Sequence, residues 1–171
     1  MKISLSKRQR AVLEVMSKPK IPAEIRDQMG LQKSNISSTI KELVGMNLIY
    51  CLTPKARLGK LYGLTKKGIR LRKKLGFGDY YQPQNIDWYL YGWVVCGKQR
   101  KAILKAMVPG VPMSLRQIRE RALEYNPRLS RTNTNDVLQK LTKAKILEKD
   151  RLKKGIAFHL ITQGIRIKRQ I

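Results

Sequence analysis

The sequence predicts a mainly α chain with small β-hairpins, an α+β fold written twice within 171 residues. Two observations predict it: an internal repeat, and apolar spacing that alternates between helical runs and one hairpin per copy. In the repeat, LQKSNISSTIKELVGMNLIY from Leu31 lies over LSRTNTNDVLQKLTKAKILE from Leu129, an offset of 98 positions. Upstream, KRQRAVLEVM from Lys7 matches KQRKAILKAM from Lys98, and Ile25-Arg26 matches Ile118-Arg119. Downstream, YGLTKKGIRLRKKL from Tyr62 matches FHLITQGIRIKRQI from Phe158, which brings Gly68 onto Gly164. The offset changes only between helices and in the hairpin, where a shared fold tolerates insertions.

In the first copy, Ala11, Val12, Val15 and Met16 follow helical spacing, and Pro19 and Pro22 mark a break. A short second helix fits residues 22–29, with proline in its first turn and Gly30 at its end. The third begins near Ser34 as N-cap and runs to about Met46, with Ile36, Ile40 and Leu43 on one face. Residues 48–64 read as a hairpin with the basic, turn-rich tip PKARLGK. Thr65 then caps a last short helix carrying Ile69, Leu71 and Leu75. In the second copy Ser114, Thr132 and Thr162 are the expected caps, and the second helix is expected to run on through RERALEYNP.

Helix, helix, helix, hairpin and helix is the order of a winged helix-turn-helix, so the predicted architecture is two of them in tandem. The stretches PAEIRDQMGLQKSNISSTIKELVGMNLIYCL and KLYGLTKKG resemble the winged-helix repressors of the MarR and ArsR type, especially archaeal members with a Y-x-L-T-x-x-G ending. The resemblance covers residues 5–75 well and 98–171 less well, since LITQG replaces LTKKG there. It implies a DNA-binding transcriptional regulator.

Residues 1–76 form the first predicted domain, 77–97 an aromatic segment between domains, and 98–171 the second. FGDYYQPQNIDWYLYGW, residues 77–93, holds seven of the eleven aromatic side chains. Residues 86–96 fit either a strand or an extension of the next helix. Base stacking and membrane-surface binding both call for basic neighbours, and residues 77–97 contain no Lys or Arg. The segment is therefore expected to fix one domain against the other, with a homodimer contact as the second reading.

Charge narrows the function. Lys and Arg number 37 against 11 Asp and Glu, a formal net charge of +26, and the excess is shared almost evenly between the copies. Such an excess repels itself in a compact fold, which makes nucleic acid the natural partner. Cys51 and Cys96 are too few and too far apart for a zinc site. The N-terminus lacks the apolar core of a signal peptide, and the longest apolar run, 88–97, is about half a membrane span. A soluble, cytoplasmic, nucleoid-associated protein that takes no cofactor or metal and no membrane partner is the expectation. Catalysis is not expected: the one histidine, His159, aligns with Gly63, and no phosphate loop, dinucleotide fingerprint or nucleophile elbow is present.

In a helix-turn-helix the second helix enters the major groove and offers its N-terminal residues to base edges. In the first copy that leaves Lys33, Asn35, Ser37, Ser38 and Lys41 facing out, and in the second Arg131, Asn133, Asn135 and Gln139, with Asp136 beside them. Asn and Gln suit adenine, Arg and Lys guanine, each good pair giving about 1–3 kcal/mol of discrimination. Lys55, Arg57 and Lys60 beside Gly59, and Arg151, Lys153 and Lys154 beside Gly155, form basic hairpin tips suited to the phosphate backbone or minor groove. Arg70, Arg72, Lys73, Lys74, Arg166, Lys168 and Arg169 are further candidates for phosphate. Double-stranded DNA is the leading partner. A chromatin-like or replication-associated binder indifferent to sequence, and an RNA-binding or protein-interaction module, are the alternatives.

Overall fold

The computed structural model describes residues 4–30, 33–152 and 155–171, with only the backbone of 33–35. The fold is α+β, helices with two small antiparallel sheets. The chain divides into two compact units, Met1–Gln84 and Asn85–Ile171. The boundary falls inside the aromatic stretch.

The first unit opens with α1 (Lys7–Val15), started by a capping box in which the Gln9 N–H donates to Ser6 Oγ and the Ser6 N–H to Gln9 Oε1. Next comes α2 (Pro22–Met29), which has proline at its start and ends on Gly30 at φ 64°, a left-handed stop. It is followed by α3 (Lys33–Gly45), so Ser34 lies inside the helix rather than before it. Strands β1 (Ile49–Cys51) and β2 (Tyr62–Leu64) pair antiparallel, Ile49 opposite Leu64. Lys20 adds a bridge to Tyr62. Last is α4 (Lys66–Lys74), capped by Thr65, whose Oγ1 accepts the Gly68 N–H. Val12, Leu13, Met16, Ile25, Ile36, Ile40, Leu43 and Leu48 close the core. This is the helical spacing of the sequence turned inward. Ile69 departs from it: the residue is exposed, and α4 buries Gly68 and Arg72 instead.

The aromatic residues 77–82 fold back on this first unit. Tyr80 Oη accepts the Leu64 N–H at 3.2 Å, and the Tyr81 N–H donates to the Ser17 carbonyl at 2.8 Å. Arg72 ties the same segment down, donating to the carbonyls of Met16, Glu14, Phe77 and Gly78.

The second unit begins with α5 (Trp88–Cys96), a helix started by Asp87, whose Oδ1 accepts the N–H groups of Tyr89 and Leu90. The open choice for 86–96 thus resolves as a helix of its own over 88–96, broken from the next helix at Gly97 rather than extending it. Tyr91 on this helix is buried, with Trp88 edge-on to it at 5.7 Å. The unit continues through α6 (Lys98–Ala106), β3 (Met113–Ser114), α7 (Leu115–Ala122) and α8 (Arg131–Lys143). It closes with β4 (Leu147–Leu152), β5 (Gly155–Leu160) and α9 (Thr162–Lys168). The sheet order is β3-β5-β4, with Met113 opposite Phe158 and Leu147 opposite Leu160. Ile103, Leu104, Met107, Ile118, Leu138, Leu141, Ile146 and Leu160 are buried.

Three local expectations change in this unit. Ser130, not Thr132, caps α8, accepting the Asn133 N–H, because Thr132 already lies in the first turn. No side chain caps α9, whose N-cap is Ile161. Helix α7 stops at Ala122: the N–H groups of Tyr125 and Asn126 both turn back to the Ala122 carbonyl, and residues 123–128 form a turn. Ser114 does cap α7, in a capping box with Gln117.

The two units share features that no local signal requires. Asn47 and Lys145 both hold positive φ, 56° and 53°, after α3 and α8. The N–H groups of Leu48 and Ile146 then close back onto Leu43 and Leu141, each at 3.0 Å. A Cβ at Gly68 would fall on the Leu48 carbonyl, and one at Gly164 on the Ile146 carbonyl.

Candidate nucleic-acid interface

On α8 the division of labour between faces is complete. Thr134, Val137, Leu138 and Leu141 are buried, with the Thr134 hydroxyl donating to the Ser130 carbonyl at 2.7 Å. Arg131, Thr132, Asn133, Asn135, Asp136, Gln139, Lys140 and Lys143 are exposed. The α-helical repeat forces this outcome, since residues at i, i+3, i+4 and i+7 share one side. Arg131, Asn133, Asn135 and Gln139 are therefore brought onto one helix, outside the core. No acidic residue occupies the first turn of α8, and Lys140 and Lys143 lie in its last. The partial positive charge of the helix start is thus left for an anion.

The equivalent surface of α3 carries exposed Ser37, Ser38 and Lys41, with Ile36, Thr39, Ile40 and Leu43 buried. Lys33 and Asn35 belong to the first turn of α3, and their side chains lie outside the described residues. Beside Lys41, Glu42 accepts from Gln9 Nε2 of α1 at 2.8 Å, so one acid is already engaged.

The hairpin connections differ. Between β1 and β2 the chain leaves regular pairing: Thr53 is buried, its Oγ1 accepts the Leu61 N–H at 2.9 Å, and the Ala56 N–H turns back to the Thr53 carbonyl. That buried threonine ties the loop base, and Lys55, Arg57 and Lys60 stand exposed beyond it. Leu58 is the most exposed large apolar side chain there, at 75%. In the second unit β4 and β5 pair regularly from Leu147–Leu160 out to Leu152–Gly155. Arg151 is exposed, and Lys153 and Lys154 lie outside the described residues. His159 sits in this hairpin, its Nδ1 2.6 Å from Asp150 Oδ2 and its Nε2 3.6 Å from Glu148 Oε2. Its ring spans the two strands as a cross-strand pair.

Three expected phosphate ligands are used internally. Arg72 is buried and spends its guanidinium on four carbonyls; burial pushes its pKa down, with Asp79 and Glu14 pulling the other way. Lys168 donates to the carbonyls of Leu104 and Lys105 at 3.1 and 2.6 Å. Burial first, then Arg121 and Lys105, push its pKa down. Arg166 donates to the Asn85 carbonyl at 3.0 Å. Arg70, Lys73, Lys74 and Arg169 remain exposed. Basic runs look alike in sequence, and only the carbonyls gathered by the fold separate buried members from solvated ones.

No family model matches the chain, and no curated protein matches it either. A similar solved structure is titled "Crystal structure of T. acidophilum IdeR", at 16% identity and a TM-score of 0.33. The match covers 82% of this chain and 56% of that one, so the chain spans just over half the length of its match.

Among the described residues, no group of three His, Cys, Asp or Glu side chains is placed to hold a metal ion. No helix among them is long and apolar enough to cross a membrane. Residues that the sequence reading passed over include Lys140 and Lys143 on α8, and Lys98, Lys105, Tyr125 and Arg128 around a groove on the second unit. Their signal lies in the repeat: Lys105 and Lys140 stand where the first copy has Glu14 and Glu42.

Proposed function

We propose that the chain is a double-stranded DNA-binding regulator whose units are two tandem winged helix-turn-helix domains. In each, α3 or α8 enters the major groove, and the β1–β2 or β4–β5 hairpin rests on the backbone or minor groove. The observation that carries this reading is α8, where Arg131, Asn133, Asn135 and Gln139 are released from the core, the first three of them within the opening five residues of a capped helix. That is the residue set and placement that reads base edges. Two readers in one chain would span neighbouring half-sites, and their different side chains at matched positions imply different bases.

Selection of bound duplexes from a random pool with the full chain, followed by footprinting, tests the proposal. A defined site with two protected segments supports it. A second reading, a chromatin-like binder indifferent to sequence, is favoured by the net charge of +26. Discrimination below about tenfold between the selected and random duplexes at physiological salt would decide for that reading. For self-association, Tyr81 and Tyr89 of the aromatic stretch, 61% and 45% exposed, are the surfaces to mutate. Sedimentation of the free chain reads the outcome.

A further inference from the structure

A second basic surface lies on the second unit. Helix α6, the turn after α7, and α8 border an open groove of about 1000 Å³. Lys98, Lys105, Arg128 and Lys140 line it with Tyr125, and no acidic side chain does. Arg100 also lines it, but its guanidinium is held 4.3 Å above the Trp93 ring and donates to the Trp93 carbonyl. Tyr125 is 51% exposed, and Lys105 Nζ lies 5.5 Å from its ring centroid. The turn carrying Tyr125 is ordered by its own bonds: the Arg128 N–H donates to Asn126 Oδ1, and the Leu129 N–H to the Asn126 carbonyl.

The first unit supplies an internal control. Where α6 has Lys105, α1 has Glu14; where α8 has Lys140, α3 has Glu42, which Gln9 engages. Residues 125–128 fall where the offset between copies rises from 93 to 98, an insertion that the first unit lacks. The core needs neither change, because Ala102, Ile103 and Leu104 of α6 and Leu138 and Leu141 of α8 do the packing. Gathering cations without an acid costs stability in the free protein, and a bound anion offsets that cost. An exposed ring beside those cations cannot stack on the bases of an intact duplex, which are stacked on one another, but it can stack on an unpaired base.

We infer that this groove binds an unpaired nucleotide, with its phosphate on Lys98, Lys105, Arg128 and Lys140 and its base against the Tyr125 ring. The nucleotide can belong to a single-stranded stretch of nucleic acid or be a free nucleoside phosphate. This does not rest on the duplex reading: either kind of binding can be lost while the other stays.

The test is fluorescence anisotropy of the full chain with a short labelled oligothymidylate and with a labelled blunt duplex, with ATP as competitor. Lys105→Glu with Lys140→Glu restores the charges of the first unit and is expected to weaken oligothymidylate binding tenfold or more. Tyr125→Ala is expected to weaken it by roughly 5- to 150-fold, the range of one stacked base. Duplex affinity should change by less than about threefold in Tyr125→Ala, and the charge reversal should weaken the duplex several-fold less than the single strand. Displacement of the oligonucleotide by ATP identifies a free nucleotide as the ligand; retention against ATP identifies a strand. The inference is overturned if the wild-type chain does not bind the oligothymidylate, whatever it does with the duplex. It is also overturned if the variants lose duplex and single strand equally, which would make the groove a duplex-backbone cradle, or if Tyr125→Ala changes nothing. Should the double glutamate variant fail to melt cooperatively, Lys105→Gln with Lys140→Gln reads the same contrast.

Discussion

At Gly68 the start of α4 lies against the Leu48 carbonyl with no room for a side chain, and Gly164 of α9 meets the Ile146 carbonyl in the same way. Neither glycine has a positive φ, so close approach alone imposes it. Gly68→Ala and Gly164→Ala should each destabilise by about 1–3 kcal/mol or more, since backbone must move. Urea denaturation of each variant checks this, and an unchanged midpoint would contradict the packing described. Tyr80 gives a pH prediction. Burial pushes its phenol well above the ordinary value of 10.0, the Leu64 hydrogen bond lowers it somewhat, and Tyr50 raises it. The unfolded chain releases this proton near pH 10 while the folded chain keeps it, so folding stability falls as pH rises beyond about 10. Tyr80→Phe should flatten that fall, at a cost near neutral pH of about 1 kcal/mol for the lost bond from Leu64. Denaturation midpoints at pH 8 and pH 11 compare the two.

Among the elements, α8 is the proposed reader of bases. Asn135→Ala or Gln139→Ala should cost about 1–3 kcal/mol against the selected site and relax preference at one position. The same changes should leave thermal stability within about 0.5 kcal/mol, because both side chains are exposed. Binding to single-base variants of the site reads the first outcome, and a thermal melt the second. Helix α2 was legible from sequence because its signals are local: proline can start a helix, and Gly30 can take the left-handed stop. The end of α7 was not, since RERALEYNP has helix-forming composition up to its proline, while Asn126 bonds back to Ala122 and closes the turn earlier. The cap of α8 lies two residues before the expected Thr132 for a related reason. Ser130 and Thr132 are both good caps, and only the chain path shows which precedes the first turn.

For the whole molecule, the excess of positive charge is the dominant electrostatic fact. Binding to duplex should weaken linearly with log salt, with a slope of about −0.9 per phosphate neutralised. Replacing Lys55, Arg57 and Lys60 together by Ala should reduce that slope by up to about three and weaken random and selected duplexes alike. A salt titration of both duplexes checks it; loss confined to the selected site would assign these residues to base readout instead. Charge reports the class of partner and not which cations face it. Arg72 and Lys168 show why: each sits in a basic run, yet one serves carbonyls as distant in sequence as Met16 and Glu14, and the other those of Leu104 and Lys105.

By itself the sequence determined the α+β class, the order of helices and hairpin within each copy, the buried faces of α1, α3 and α8, and the offset between copies. These follow from residue periodicity and from proline and glycine, which act within a few positions. Tertiary structure decided the rest. It joined residues 77–82 to the first unit through Tyr80 and Arg72, made 88–96 a helix of the second, buried Arg72, and tied Arg166 and Lys168 to backbone carbonyls. It also set Lys105, Lys140 and Tyr125 around one groove. Such outcomes depend on which distant backbone groups need a donor and which helices lie side by side, and neither is written in the spacing of neighbouring residues.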